Sequence, residues 1–408
     1  MKTTLKALLS SVALVALATS AQAQTKAAAP TGKPIVIGMI AEQSGALGFY
    51  GQETTRSAQI FVDQVNANGG LLGRPLQLIV RDSKTTVNEA VRHARDLAAE
   101  DVDVLLHSIN SGECVAVGNV AKQAKKLLFS ACANDDFTSK AGGRYIFRVP
   151  NITSRTQGYG AADYALQRLP NATRYYTIAQ DFAFGRTVVA NFKERIKAKN
   201  AKVEFIGESW PKLNEGSYAP YITAMIEAKP EAVFYSWGFG LPFWQQSASY
   251  DLGKSFPMVS SYWGGSDELQ ALPQNSIPTG AVMGGLPWYA IEGNGNEAFV
   301  ERFRAAYNKP PFTAAYLVLL NLQAIEAGIR KAGTVETEKL IDALEGMEFT
   351  SSLGPVKIRP FDHQGATPLW TGKAVWDDKL KIGVLTDIVK LATDIYLPTE
   401  EEVKQSRQ

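Results

Sequence analysis

Pro34-Ile35-Val36-Ile37-Gly38-Met39-Ile40, then residues 52–66 (QETTRSAQIFVDQVN), then residues 76–80 (LQLIV): this succession decides the fold. The first run is short, apolar and β-branched, which predicts a buried strand. The second places Ala58, Phe61, Val62 and Val65 on one face of a helix, and Asn68-Gly69-Gly70 stops it. The third is a strand again. The alternation continues through residues 87–100, 102–107, 114–125, 127–130 and 145–148. It resumes after Pro150 with 154–169, 175–179, 183–200, 203–208, 218–228, 232–236, 240–252 and 257–260. Long helical patterns return at 296–307, 313–332 and 335–345. Strands alternating with helices imply α/β architecture, with parallel sheets covered on both faces. The run is too long for one open sheet of ordinary width, so two successive doubly wound domains are expected, breaking near Pro150.

Ligands of such sheets bind beyond the carboxyl ends of the strands. That rule selects the loops at 41–50, 107–112, 131–136, 180–185, 237–241 and 260–267, which are rich in aromatics and small polar residues. Two domains facing each other through these loops would enclose a cleft.

The N-terminus reads as an address. Lys2 and Lys6 precede an apolar run at 7–19, and Ala21-Gln22-Ala23 supplies small residues for cleavage after Ala23. Residues 1–23 are expected to be a secretory signal peptide and 24–33 a flexible leader. The apolar core is shorter than the ~20 residues of a membrane span. The whole chain of 408 residues carries 42 Lys+Arg and 40 Asp+Glu, net +2. Without Lys2 and Lys6 the balance is zero, which leaves no global charge to grip nucleic acid or an anionic membrane. Export also disfavours cofactors confined to the cytoplasm.

Catalytic signatures are missing. Gly253-Lys254-Ser255 resembles the end of a P-loop, but Ala248 stands where a Gly is required. No G-x-G-x-x-G follows the first strand, and no G-x-S-x-G or H-E-x-x-H occurs. His93, His107 and His363 are far apart in sequence. His107 beside Ser108 and Ser111 is the one candidate for a spatial triad, against the commoner reading of a polar strand end. Asp135-Asp136 reads as loop or N-cap rather than an acid/base pair. No catalytic residue, metal or cofactor is expected. Cys114 and Cys132 follow successive strands at one sheet end, so a disulfide is expected in an oxidising compartment, with two buried free thiols as the alternative. A loop of that length adds about 3 kcal/mol.

Ile35-Val36-Ile37-Gly38, Ser44-Gly45-Ala46 and Tyr50-Gly51 resemble the opening of type I periplasmic solute-binding proteins. Asp63-x-x-Asn66-x-x-Gly69-Gly70-Leu71-Leu72-Gly73-Arg74-Pro75-Leu76 is the most specific stretch. It is similar to a segment of the leucine/isoleucine/valine-binding group, the branched-chain amino acid importers' binding proteins. Asp82-Ser83, Phe184-Gly185 and Gly354-Pro355 fit as well, and the likeness runs from Pro34 to Asp377. The resemblance implies two Rossmann-like lobes joined by three crossover segments. Lobe 1 would be 34–150 plus 286–355, lobe 2 would be 151–285 plus 356–390, and 391–408 a C-terminal tail. It implies a non-enzymatic periplasmic protein, expected to be a monomer, that closes on a small-molecule ligand and delivers it to an inner-membrane ABC permease.

The family's carboxylate-holding loops map to Asn110-Ser111 and to Cys132-Ala133-Asn134, where free N–H groups and a helix dipole suit an anion. N-capping is the plainer role for Ser111 and Asn134. Tyr50 and Phe184 match aromatics that flank the ligand. The chain departs from amino-acid binders after the strand at 257–260. The loop reads Ser260-Ser261-Tyr262-Trp263-Gly264-Gly265, and the nearest acids are Asp267 and Glu268. With Trp237 and Tyr262 nearby, a carboxylate with an apolar or aromatic body is expected in preference to leucine or valine. The ligand set is therefore Tyr50, Asn110, Ser111, Cys132, Asn134, Phe184, Trp237 and Tyr262. A sensing lobe for a membrane receptor and an exported hydrolase are the competing readings.

Overall fold

The structure, a computed structural model, describes residues 29–236, 240–250, 252–262 and 265–408. The expected signal peptide lies outside the described residues, as does the first half of the leader. The end of the leader is tied down rather than loose. Thr31 N–H donates to Gly73 C=O, and Arg74 donates to the carbonyls of Lys33 and Pro34.

The first sheet contains β1 (Ile35–Ala41), β2 (Leu76–Asp82), β3 (Val104–His107), β4 (Leu128–Ser130) and β5 (Ile146–Phe147) in the order β2-β1-β3-β4-β5. All of its pairings are parallel. The connecting helices are α1 (Gly48–Ala67), α2 (Val87–Ala99) and α3 (Cys114–Ala124). β1 is buried along its whole length, as a strand covered on both faces must be.

The Asp63–Leu76 motif acts through backbone geometry. Asn66 Nδ2 donates to Leu76 C=O, and Leu76 N–H donates to Asn66 Oδ1, so the end of α1 is clamped to the start of β2. Between them Gly70 sits at φ +77°, and a Cβ there would lie 2.1 Å from Arg74 O. Only glycine fits a turn this tight with this sign of φ.

The second lobe begins with α4 (Ser154–Arg168), β6 (Arg174–Ala179), α5 (Ala183–Lys199) and β7 (Glu204–Ser209). Next come β8 (Ala232–Ser236), β9 (Met258–Ser260) and β10 (Val282–Gly285). The chain then returns to the first lobe. Helix Thr313–Ala332 packs along α1, where Ser57 Oγ donates to Ala315 C=O. A hairpin follows, β11 (Glu348–Ser351) with β12 (Gly354–Lys357), before β13 (Leu369–Asp377) and β14 (Ile382–Leu391) complete the second sheet. Among the described residues that sheet has seven strands in the order β14-β13-β10-β9-β8-β6-β7. β6 to β10 pair in parallel, but β13 and β14 are antiparallel, so the second sheet is mixed at one edge rather than parallel throughout.

By the sheets that their strands join, the chain passes between lobes after β5, after β10 and after β12. The third passage lies beyond Pro355, because Pro355 is paired with Thr350 inside the hairpin. The first and third run side by side: Arg148 N–H donates to His363 C=O, and Gly365 N–H donates to Arg148 C=O. The C-terminal tail is ordered. Helix Glu400–Ser406 starts from a capping box, Thr399 with Glu402, and Arg407 donates to the carbonyls of Thr138, Ser139 and Phe361. Among the described residues no helix is long and apolar enough to cross a membrane.

Candidate functional site

The carboxyl ends of β1, β3, β4 and β6 converge on a cleft between the lobes. It is lined by Leu47, Tyr50, Ile109, Ser111 and Ala133 from the first lobe, Ile152 from the first passage, and Phe182 and Phe184 from the second lobe. None of these side chains is charged. A neighbouring groove shares Leu47 and adds Gln180, Leu213, Glu215, Tyr218 and Pro242, with the Glu215 carboxylate accepting from Gly216 N–H, Ser217 N–H and the Tyr221 hydroxyl.

Two peptide N–H groups are aimed into the cleft by what holds the opposite ends of their peptides. Asn110 C=O accepts from Glu113 N–H and Cys114 N–H at the start of α3, which turns Ser111 N–H away from the helix. Cys132 C=O accepts from Arg148 Nη1 at 2.9 Å, which turns Ala133 N–H the other way. Among the described residues neither N–H has a hydrogen-bond partner. Asn134 Nδ2 donates to Ser111 C=O at 3.1 Å and locks the two loops together. Buried N–H groups without partners are rare and call for an acceptor.

Of the expected ligand residues, Tyr50, Ser111 and Phe184 line the cleft. Asn110 and Asn134 serve the loops instead. Asn110 Nδ2 donates to Glu113 Oε1 and its Oδ1 accepts from Gly112 N–H, while Asn134 also caps the turn Asp135–Phe137. Cys132 turns its sulfur away into a disulfide with Cys114, the Cα atoms 6.3 Å apart, and its neighbour Ala133 takes the lining position. Tyr262 does not line the cleft. Its ring packs inside the second lobe, in the space left by Gly160 and Gly284. Trp237 lies outside the described residues, as does Trp263. Leu47, Ile109, Ala133 and Phe182 were missed, although each falls in a loop selected by the strand-end rule. Ile152 lies in none of them.

The two acids nearest the β9 loop are both committed. Asp267 accepts from Thr313 N–H and Thr313 Oγ1 at 2.9 Å, at the head of helix Thr313–Ala332. Burial pushes its carboxyl up to about 7, against the pull of those hydrogen bonds. Glu268 accepts from Gly240 N–H and Trp244 Nε1, and burial pushes it up to about 8. Neither lines the cleft.

The triad candidate is not assembled. His107 is fully buried and shares its Nδ1 hydrogen bond with Ser130 Oγ at 2.9 Å, while Ser108 Oγ bonds Thr54 Oγ1. His107 Nε2 faces two buried carboxylates, Glu113 Oε2 at 3.4 Å and Glu42 Oε1 at 3.9 Å. Asp135, read as a loop or N-cap residue, crosses the lobes: its carboxylate accepts from Arg155 N–H on α4 and Asn191 Nδ2 on α5. Arg148, held near 10 by burial, stays a cation and donates to Gln364, Thr138 and the carbonyls of Cys132 and Asn134.

Comparison with known proteins places these features in a family. The sequence model described as "Periplasmic binding protein" matches residues 34–379. The Leu/Ile/Val-binding protein BraC3 of Rhizobium johnstonii is 25% identical over 331 residues, which cover 79% of this chain and 86% of that protein. Among solved structures, an amino acid ABC transporter substrate-binding protein from Pseudomonas fluorescens Pf-5 superposes with a TM-score of 0.78 at 21% identity, covering 89% of this chain and 98% of that one. A solute-binding protein of an ABC transporter from Rhodopseudomonas palustris BisB5, in complex with 3,4-dihydroxybenzoic acid, superposes at 0.77 with 22% identity, covering 88% and 98%. These two structures share the fold.

Proposed function

This chain belongs to the periplasmic binding protein family, and we propose that it is the solute-binding component of an ABC importer whose cleft takes a small carboxylate with an apolar or aromatic body. The observation that carries this reading is the cleft itself. Two unpartnered N–H groups, at Ser111 and Ala133, face into a lining of Leu47, Tyr50, Ile109, Ile152, Phe182 and Phe184. The N–H pair, beside the start of α3, would receive the carboxylate. The apolar side chains would enclose the body, and the aromatic rings would contact it at their faces and edges.

An amino acid would bring an ammonium as well. Burying an unpaired ammonium costs several kcal/mol, and Asp267 and Glu268 are occupied by Thr313, Gly240 and Trp244. The bound dihydroxybenzoic acid of the R. palustris neighbour is of the proposed class. The expected cycle is export through the N-terminal signal, capture as a monomer without turnover, closure of the lobes, and delivery to a membrane permease.

Calorimetry with leucine, isoleucine and valine against benzoate, 4-hydroxybenzoate and 3-phenylpropanoate tests the ligand class. Tight binding of an aromatic acid with no heat from leucine is expected. Tight leucine binding without response to the aromatic acids would refute it. Thermal melting should agree, since ligand at 100 times its Kd adds about 2.7 kcal/mol.

A further inference from the structure

Behind the cleft lies a group of side chains that the binding cycle does not use. Glu42 follows β1, His107 ends β3, and Glu113 precedes α3. All three are fully buried, and one ligand atom from each lies within 4.8 Å of the other two. We propose that Glu42, His107 and Glu113 form a buried site for a first-row divalent cation of the Zn²⁺ type, which braces the turn Ile109-Asn110-Ser111 from behind.

Four observations carry the assignment. The donor atoms are spaced for a small ion: His107 Nε2 is 3.4 Å from Glu113 Oε2 and 3.9 Å from Glu42 Oε1. Ligands at 2.0–2.1 Å in a tetrahedron are roughly 3.3 Å apart, close to the two His107 separations, and all three donor atoms lie within 4.8 Å of one another. The second shell is in place. His107 Nδ1 is bonded to Ser130 Oγ, which presents Nε2 to the carboxylates, and Glu113 Oε1 is held by Asn110 Nδ2 and Ser83 Oγ, which leaves Oε2 hydrogen-bonded to His107 Nε2, the contact that an ion would replace.

One oxygen is orphaned: Glu42 Oε1 accepts from Asn110 N–H, but Glu42 Oε2 is buried with no hydrogen-bond partner among the described residues. Finally, the charge is unbalanced. No Lys or Arg pairs with either carboxyl group among the described residues, and a divalent ion would bring the positive charge that the two acids lack. One nitrogen and two carboxylates suit zinc-like ions better than Ca²⁺ or Mg²⁺, which ask for about six oxygens.

The test uses the exported protein after chelation, with Zn²⁺ alone by calorimetry and melting, and Co²⁺ alone by visible absorption. Because the site is buried, loading is tried by incubation and by refolding with the ion. His93, flanked by Glu89 and Asp96, is the competing surface site, so every measurement is repeated in His93→Gln. One equivalent bound in both proteins, at least 100-fold weaker binding in Glu42→Gln, and 10- to 100-fold weaker binding in Ser130→Ala are expected. No saturable binding, loss of binding in His93→Gln, or unchanged affinity in folded Glu42→Gln would each overturn the site. Should neither site variant fold, ¹⁵N-histidine spectra of His93→Gln decide. Only His107 and His363 remain there. A Zn²⁺-induced shift at the ring bonded to Ser130 supports the site, and its absence overturns it.

Discussion

The cleft and the buried cluster lie on opposite faces of one turn, Ile109-Asn110-Ser111, and they handle charge in opposite ways. Toward the cleft the turn offers Ile109, Ser111 and an N–H that is unpartnered among the described residues, and no charged side chain is among the described lining residues. Toward the interior, Asn110 spends its N–H on Glu42 and its amide on Glu113. A solute that carries its own negative charge needs a neutral pocket with dipoles aimed inward. The loops that aim those dipoles need a fixed scaffold, and here the scaffold holds the charge. Gly51 lets the two layers approach: a Cβ there would lie 1.9 Å from Glu42 O.

The most severe way to break this contrast is to move charge into the cleft. Ser111→Asp places a carboxylate where the ligand's carboxylate is expected, and like-charge contact costs several kcal/mol. Calorimetry should show more than a 100-fold loss of aromatic-acid affinity. The unliganded melting temperature should stay near wild type, because an acid before α3 suits the helix dipole.

Next comes the staple under the turn. Reducing the Cys114–Cys132 disulfide, or replacing both residues by serine, should lower unfolding free energy by about 3 kcal/mol in urea titration. Thiol counting on unreduced, denatured protein should find no free thiol; two per chain would remove this prediction.

Phe184→Ala sharpens the apolar half of the comparison. It should cost about 2 kcal/mol of binding, roughly 30-fold, while Tyr50 and Leu47 keep a weaker site.

The smallest effect is a slope. Asp267 rises from an ordinary 3.8 to about 7, and Glu268 from 4.5 to about 8. The folded protein therefore holds protons that the unfolded chain has released, and stability falls as pH climbs from about 4 to about 8. Each group contributes at most about 1.4 kcal/mol per pH unit. Urea midpoints should decline across that window, and Glu268→Gln should flatten the decline. A stability that rises with pH there would contradict both assignments.

Much of this was legible in the residues. The strands and helices from β1 to β9 fall within a few residues of the hydrophobic periodicities, because a strand covered on both faces and an amphipathic helix each write their period into the chain. β13 (LWTGKAVWD) and β14 (IGVLTDIVKL), separated by Asp378-Lys379-Leu380-Lys381, were not read from the sequence and pair as a hairpin in the structure. Nothing in them says that the pair joins the second lobe's sheet beside β10. The strand-end rule selected the loops holding Tyr50, Ser111 and Phe184, but it could not choose among neighbours within a loop. Tyr262 went to the core and Ala133 to the cleft because the orientation of a loop residue depends on which carbonyls and rings hold its neighbours.

The sequence by itself determined two α/β lobes, the succession of elements, the family motif at Asp63–Leu76 and the loops that would face a ligand. These follow from local periods and from glycine-dependent turns, interactions that reach only a few residues. Tertiary structure alone decided that Arg148, from the first passage, turns the Cys132 carbonyl and so aims an N–H into the cleft. It alone paired Asp267 with Thr313 across 46 residues and gathered Glu42, His107 and Glu113. Contacts between distant segments leave no period in a chain, since each partner is chosen by three-dimensional packing rather than by its neighbours in sequence.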